Sequence, residues 1–125
     1  MKERMKIGFS ATDKTLDAPI DPRFGRCHYF LIFDTDTNAY EAIENIQQRA
    51  SGGAGIQAAE LMAKKQVSVV ITGNVGPNAF QTLTAANIKV ITGLQGNIKE
   101  VLDKYKNGEL QNTKQPTVHS HYGMG

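Results

Sequence analysis

Apolar residues recur along this chain in two rhythms, alternating positions in some stretches and three-to-four spacing in others, and together they predict five strands and three helices. Lys6-Ile7-Gly8-Phe9-Ser10 places Ile7 and Phe9 on one face of a strand, with Gly8 marking a close neighbour. Residues 28 to 34 are nearly continuously apolar, which predicts a second strand buried on both faces, at or beside the centre of a sheet. Asp34-Thr35-Asp36-Thr37-Asn38 is dense in turn formers. Tyr40 to Asn45 then alternates, which predicts a hairpin partner at the sheet edge.

The period changes after residue 50. Ser51-Gly52-Gly53-Ala54-Gly55 opens a helix to about Lys65, with Ile56, Ala59, Met62 and Ala63 inward and Glu60, Lys64 and Lys65 outward. Val67 to Thr72 is a short β-branched run that predicts a buried parallel strand. Pro77 suits the first turn of a second helix, whose inner face is Ala79, Phe80 and Leu83. Ile88 to Thr92 is the fifth strand, and Ile98, Val101, Leu102 and Tyr105 give a last helix ended by Gly108. A hairpin half joined to alternating strands and helices predicts one α/β domain over residues 1–110. Its sheet is mixed and five-stranded, with helices on its faces. Residues 111–125 lack periodicity and are expected to form a flexible tail containing histidine and glycine.

Composition narrows the functional classes. The 125 residues carry a formal charge of +2, 40% hydrophobic and 21% charged side chains, with no run of five like charges, so neither nucleic acid nor a membrane is an expected partner. A single cysteine points to the reducing cytoplasm and excludes a four-cysteine zinc or iron–sulfur site from one chain.

Candidate chemistry gathers in Asp21-Pro22-Arg23-Phe24-Gly25-Arg26-Cys27-His28, where Pro22 and Gly25 frame a tight loop ahead of the buried second strand. Arg23 and Arg26 there suit an anion, and Cys27 suits a soft metal; alternatively the arginines pair with Asp21 or Asp34, and Cys27 is a small core residue. Ligands of open α/β sheets collect at the carboxyl ends of parallel strands. Two glycine turns, 52–55 and 73–76, with Thr72, Asn74 and Asn78, should converge there on an anionic guest. Enzyme readings find no support. The first and fourth strands end in Ser10 and Thr72 rather than in carboxylates. His28, next to Cys27 on an extended chain, points to the opposite face. No catalytic residues are assigned.

The segments Arg23-Phe24-Gly25-Arg26-Cys27-x-Tyr29-Phe30, Gly53-Ala54-Gly55-x-x-Ala58-Ala59, Val70-Ile71-Thr72-Gly73-x-x-Gly76 and Gly108-Glu109-Leu110 together resemble the dinitrogenase iron-molybdenum cofactor biosynthesis family, which includes NifX and the C-terminal portion of NifB. The resemblance spans roughly residues 6 to 112. It implies a ribonuclease H-like fold without the nuclease carboxylates, and a non-catalytic protein that carries an anionic metal–sulfur cluster, such as an iron-molybdenum cofactor precursor, between donor and acceptor proteins. It implicates Arg23, Phe24, Gly25, Arg26 and Cys27 in the first loop, Gly53, Ala54 and Gly55 in the second, and Thr72, Gly73, Asn74 and Gly76 in the third. Cys27, His119 and His121 are the candidate metal ligands. The alternative is a regulatory or interaction module that binds a phosphate or nucleotide at the same helix starts, without metal.

Overall fold

The computed structural model describes residues 5–46 and 53–117. Its strands are β1 (Lys6–Ala11), β2 (Tyr29–Asp34), β3 (Tyr40–Glu44), β4 (Val69–Ile71) and β5 (Lys89–Ile91), and its helices are α1 (Ala54–Lys64), α2 (Pro77–Ala85) and α3 (Ile98–Lys106). They follow one another in the order that the hydrophobic pattern predicts.

The five strands form one mixed sheet in the order β3-β2-β1-β4-β5. β1 pairs antiparallel with β2, and β2 with β3, whereas β1–β4 and β4–β5 are parallel. The centre is therefore β1, where the hairpin half meets the parallel half, with β2 beside it and β3 at the edge as expected. Strands β1, β3 and β4 all run toward the same end of the sheet, so the loops that follow them share that end.

Each sheet face has its own apolar layer. α1 and α2 cover Phe30, Ile32, Val70 and Val90 with Ala58, Ala59, Met62, Ala79 and Leu83. α3 covers Ile7, Phe9, Phe33, Val69 and Ile91 with Ile98, Val101 and Leu102. Gly8 explains how α1 lies so close: a Cβ there would come within 2.7 Å of the Met62 sulfur. Ala63, expected on the inner face of α1, is exposed, and Ile56 is half-buried; Ala59 and Met62 are buried as expected, joined by Ala54 and Ala58. Three alanines beside Met62 seat α1, which brings its backbone down onto the sheet.

α3 ends as the sequence predicts. Gly108 takes φ 74°, its N–H donates to the Tyr105 carbonyl at 3.0 Å, and the Glu109 N–H reaches the Lys104 carbonyl at 3.0 Å, the paired bonds of a Schellman cap. Beyond it, the segment expected to begin a flexible tail is tied to the fold as far as Thr117. The Thr113 N–H donates to the Val90 carbonyl, and its hydroxyl accepts from the Thr92 N–H at 3.0 Å. The Thr117 N–H donates to the Val75 carbonyl at 3.0 Å, and its hydroxyl accepts from the Val75 N–H at 2.9 Å. Threonine hydroxyls thus satisfy edge groups of β5 and of the loop after β4 that a hydropathy pattern cannot see. Residues 118–125, including His119 and His121, lie outside the described residues, as do Ser51 and Gly52. No helix among the described residues is long and apolar enough to cross a membrane.

Candidate functional site

At the carboxyl end of β1, β3 and β4 a cavity of about 250 Å³ is lined by Phe24 and Gly25 of the first loop, Gly53, Gly55 and Ile56 of α1, and Gly76, Pro77, Asn78 and Ala79 of α2. Close approaches at three glycines frame it. A Cβ on Gly25 would lie 2.8 Å from the Gly55 Cα and N, and one on Gly55 would lie 3.2 Å from the Ala79 Cβ. Gly73 packs on Pro22 in the same way, at 2.7 Å. Glycine is required at 25 and 73 because any side chain would force the loops apart.

The first loop is held from below and from both sides. The Ser10 hydroxyl donates to the Asp21 carbonyl at 2.7 Å and lies 2.6 Å from the Thr72 hydroxyl. The buried Asp21 carboxylate accepts the Arg23 N–H at 2.9 Å and faces its Nε at 3.5 Å. Asn74 zips the loop to the end of β4: its N–H donates to the Pro22 carbonyl at 2.8 Å, and its carbonyl accepts the Phe24 N–H at 3.2 Å. On the other side, the Asn45 side-chain amide donates to the carbonyls of Gly25 at 3.0 Å and Cys27 at 2.9 Å.

The two helix starts have unusual termini. Gly53, the N-cap of α1, and Gly76, the N-cap of α2, supply no side-chain cap, and neither first turn holds an acidic residue. The Gln57 N–H is taken by the Gly53 carbonyl and the Phe80 N–H by the Gly76 carbonyl, while Pro77 has no N–H. Among the described residues no partner takes the first-turn N–H groups of Ala54, Gly55, Ile56, Asn78 and Ala79. Gly55, Ile56, Asn78 and Ala79 line the cavity. The nearby carbonyls of Gly25, Gly53 and Gly76 are all consumed. The wall therefore presents donors and the positive ends of two helix dipoles, with these three carbonyls already engaged elsewhere.

Of the residues expected from the sequence, Phe24, Gly25, Gly53, Gly55 and Gly76 line the cavity, as does Asn78. Ala54 is buried at the first turn of α1. Thr72, Gly73 and Asn74 do not line it: they fix the first loop from beneath, Thr72 with its hydroxyl already committed to Ser10. Arg23 and Arg26 are exposed on the loop. Cys27 is the clearest correction. It is 0% exposed, packed among Phe24, Phe30 and Val75, with its thiol donating to the Phe24 carbonyl at 3.3 Å. Burial, and secondarily the Asp21 charge, pushes that thiol up to about 12, so in this fold it is a protonated core residue outside the cavity lining. His28, beside it, is exposed, as alternation requires. No group of three or more potential metal-binding side chains comes together among the described residues. Sequence reasoning missed Ile56, Pro77 and Ala79 as lining and Asn45 as a clamp. The first three read as ordinary helix positions, and Asn45 reads as the end of a strand.

The arrangement is that of a small mixed α/β domain with a glycine-built cavity at the end of its central strands. The chain belongs to the dinitrogenase iron-molybdenum cofactor family, whose model matches residues 5–108. It is similar in structure to the apo form of the orange protein from Desulfovibrio gigas, with 37% identity, a TM-score of 0.88, and coverage of 94% of this chain and 99% of that one. A NifB-like protein from Thermotoga in the DUF35 family matches with 32% identity and a TM-score of 0.78, over 90% of this chain and 98% of the other. An uncharacterized protein of Methanocaldococcus jannaschii is 30% identical over 95 residues, 74% of this chain and 80% of that protein.

Proposed function

We propose that this protein is a non-catalytic carrier that binds a preassembled anionic metal–sulfur cluster, an iron-molybdenum cofactor precursor or a related molybdenum or iron–sulfur species, in the cavity between the starts of α1 and α2. The observation that carries the reading is the set of N–H groups at Gly55, Ile56, Asn78 and Ala79, without partners among the described residues, around one space. Family membership and the likeness to the orange protein, solved in an apo form, support the ligand class.

The described lining offers no thiol, imidazole or carboxylate, so within it the preassembled cargo is held as an anion, by hydrogen bonds and dipoles. Arg23 and Arg26 act at the rim in attracting it. His119 and His121 are its candidate supplementary ligands. Thr117 is bonded to Val75, one residue before the α2 cap, and two to four further residues reach at most about 7–14 Å. Donor and acceptor proteins complete the carrier role.

A cavity of about 250 Å³ is small against the roughly 300–1,000 Å³ of typical organic-ligand pockets, which favours a compact inorganic anion over a nucleotide. Anaerobic incubation with iron, sulfide and molybdate, or with tetrathiomolybdate, should give a coloured protein whose thermal stability rises with cargo concentration. A colourless, metal-free protein that is stabilised by nucleotides instead would establish the alternative.

A further inference from the structure

We infer that Asn45 is a positioning residue that makes the cavity selective for anions by holding backbone carbonyl oxygens out of it; the inference rests on the carrier reading above. Asn45 follows the last residue of β3 and is 4% exposed, a buried polar side chain in an otherwise apolar layer. Its own N–H donates to the His28 carbonyl at 2.9 Å, which continues the β2–β3 pairing one step past the strand. That anchor aims the side-chain amide back across the first loop, where Nδ2 donates to the Gly25 carbonyl at 3.0 Å and to the Cys27 carbonyl at 2.9 Å. A carboxamide nitrogen carries two protons, and these two bonds use both.

The consequence lies at Gly25. This residue is part of the cavity wall, and its Cα side is pressed against the backbone of Gly55 at the start of α1. With so little room on that side, the direction of the Gly25 carbonyl decides whether the wall offers an anion a donor surface or a lone pair. Asn45 draws the oxygen toward β3 and away from the cavity. The carbonyls of Gly53 and Gly76 are consumed by their own helices and need no such device. Gly25 lies in a loop, without a helix to take its oxygen, so a side chain from another strand does so. No acidic side chain could substitute, because a carboxylate has no proton for either carbonyl and would add negative charge beside the site.

The test is an anaerobic titration with tetrathiomolybdate, read by the absorption of the bound anion per folded molecule, on wild type, Asn45→Ala, Asn45→Ser and Asn45→Asp. Leu102→Ala, a buried change under α3 on the opposite face of the sheet, controls for lost stability. The expected result is binding weakened by about tenfold or more in Asn45→Ala, by an intermediate factor in Asn45→Ser, which keeps one donor and is the variant most readily folded, and most strongly in Asn45→Asp. Leu102→Ala binds as wild type does. Unchanged affinity in Asn45→Ser and Asn45→Ala, or an equal loss in Leu102→Ala, would overturn the role of Asn45 and leave the carrier reading standing. Wild type that takes up no tetrathiomolybdate would overturn the carrier reading and this inference together.

Discussion

The three helices among the described residues begin in two different ways, and the contrast marks out the proposed site. α3 starts with Asn97, whose side chain accepts the Glu100 N–H at 2.9 Å while the Glu100 carboxylate accepts the Asn97 N–H at 3.3 Å. The next donors are used as well: the Ile98 N–H goes to the Ala18 carbonyl at 3.0 Å and the Lys99 N–H to Leu16 at 2.9 Å. Every first-turn group of α3 is thereby satisfied inside the fold, and a glutamate balances the dipole. α1 and α2, on the other face, begin with bare glycines and no acid, and their first-turn donors meet around a cavity. Capping an N-terminus with Ser, Asp or Asn rather than Ala contributes about 1 kcal/mol. Two helices that forgo side-chain caps at one point leave donors for something else to satisfy, the role given to the anionic cargo in the proposed carrier function.

Substitutions can break this contrast from either side. The largest effect is expected from Gly25→Ala, which drives a methyl into the Gly55 backbone. It should cost about 1–3 kcal/mol of stability by urea unfolding and abolish uptake of an anionic cluster, because the wall between loop and helix is displaced. Asn78→Asp is more selective. A carboxylate in the first turn of α2 should leave stability unchanged or raise it by about 0.3–1 kcal/mol while weakening anion binding by about tenfold, so stability and binding move in opposite directions. Asn97→Ala is the mirror image: removal of the α3 capping box should cost about 1 kcal/mol and leave anion binding intact. Equal effects of Asn78→Asp and Asn97→Ala on binding would mean that the two kinds of helix start are not functionally distinct.

The smallest effect at neutral pH concerns Cys27. Its thiol is raised in the folded state from 9.0 to about 12, so the fold holds a proton that the unfolded chain releases. The stabilisation is fully present below pH 9.0 and is lost as pH climbs toward 12, which unfolding curves across that window should show. A thiol reagent at neutral pH should react with the denatured chain and not with the native one. Cys27→Ser should lower stability and leave cluster binding per folded molecule unchanged.

The fold was legible because its signals are local. Alternation in β1 and β3, the apolar run of β2 between two layers, and the spacing of Ile98, Val101 and Leu102 each follow from how a single segment is buried. Gly8 was readable for a similar reason, since a glycine inside a strand pattern announces a close neighbour. The site was legible in part. The glycine turns pointed to the end of the sheet where the cavity lies, but two residues misled and a third went unseen, for identifiable reasons. Cys27 looks reactive beside two arginines, yet whether a thiol is a ligand or a core residue depends on burial, which the side chains of Phe24, Phe30 and Val75 decide from afar. Thr72 looks like a ligand-facing hydroxyl at a strand end, but Ser10, 62 residues away, already occupies it. Asn45 carried no local signal at all: its partners lie 18 and 20 residues upstream, across a hairpin.

The most direct test of the account is a backbone amide NMR titration of the folded protein with tetrathiomolybdate under anaerobic conditions. The account predicts saturable shifts concentrated at the amides of Gly55, Ile56, Asn78 and Ala79, with those of Ile98, Lys99 and Glu100 unmoved. Shifts spread over the exposed lysines, or centred on the start of α3, would contradict it.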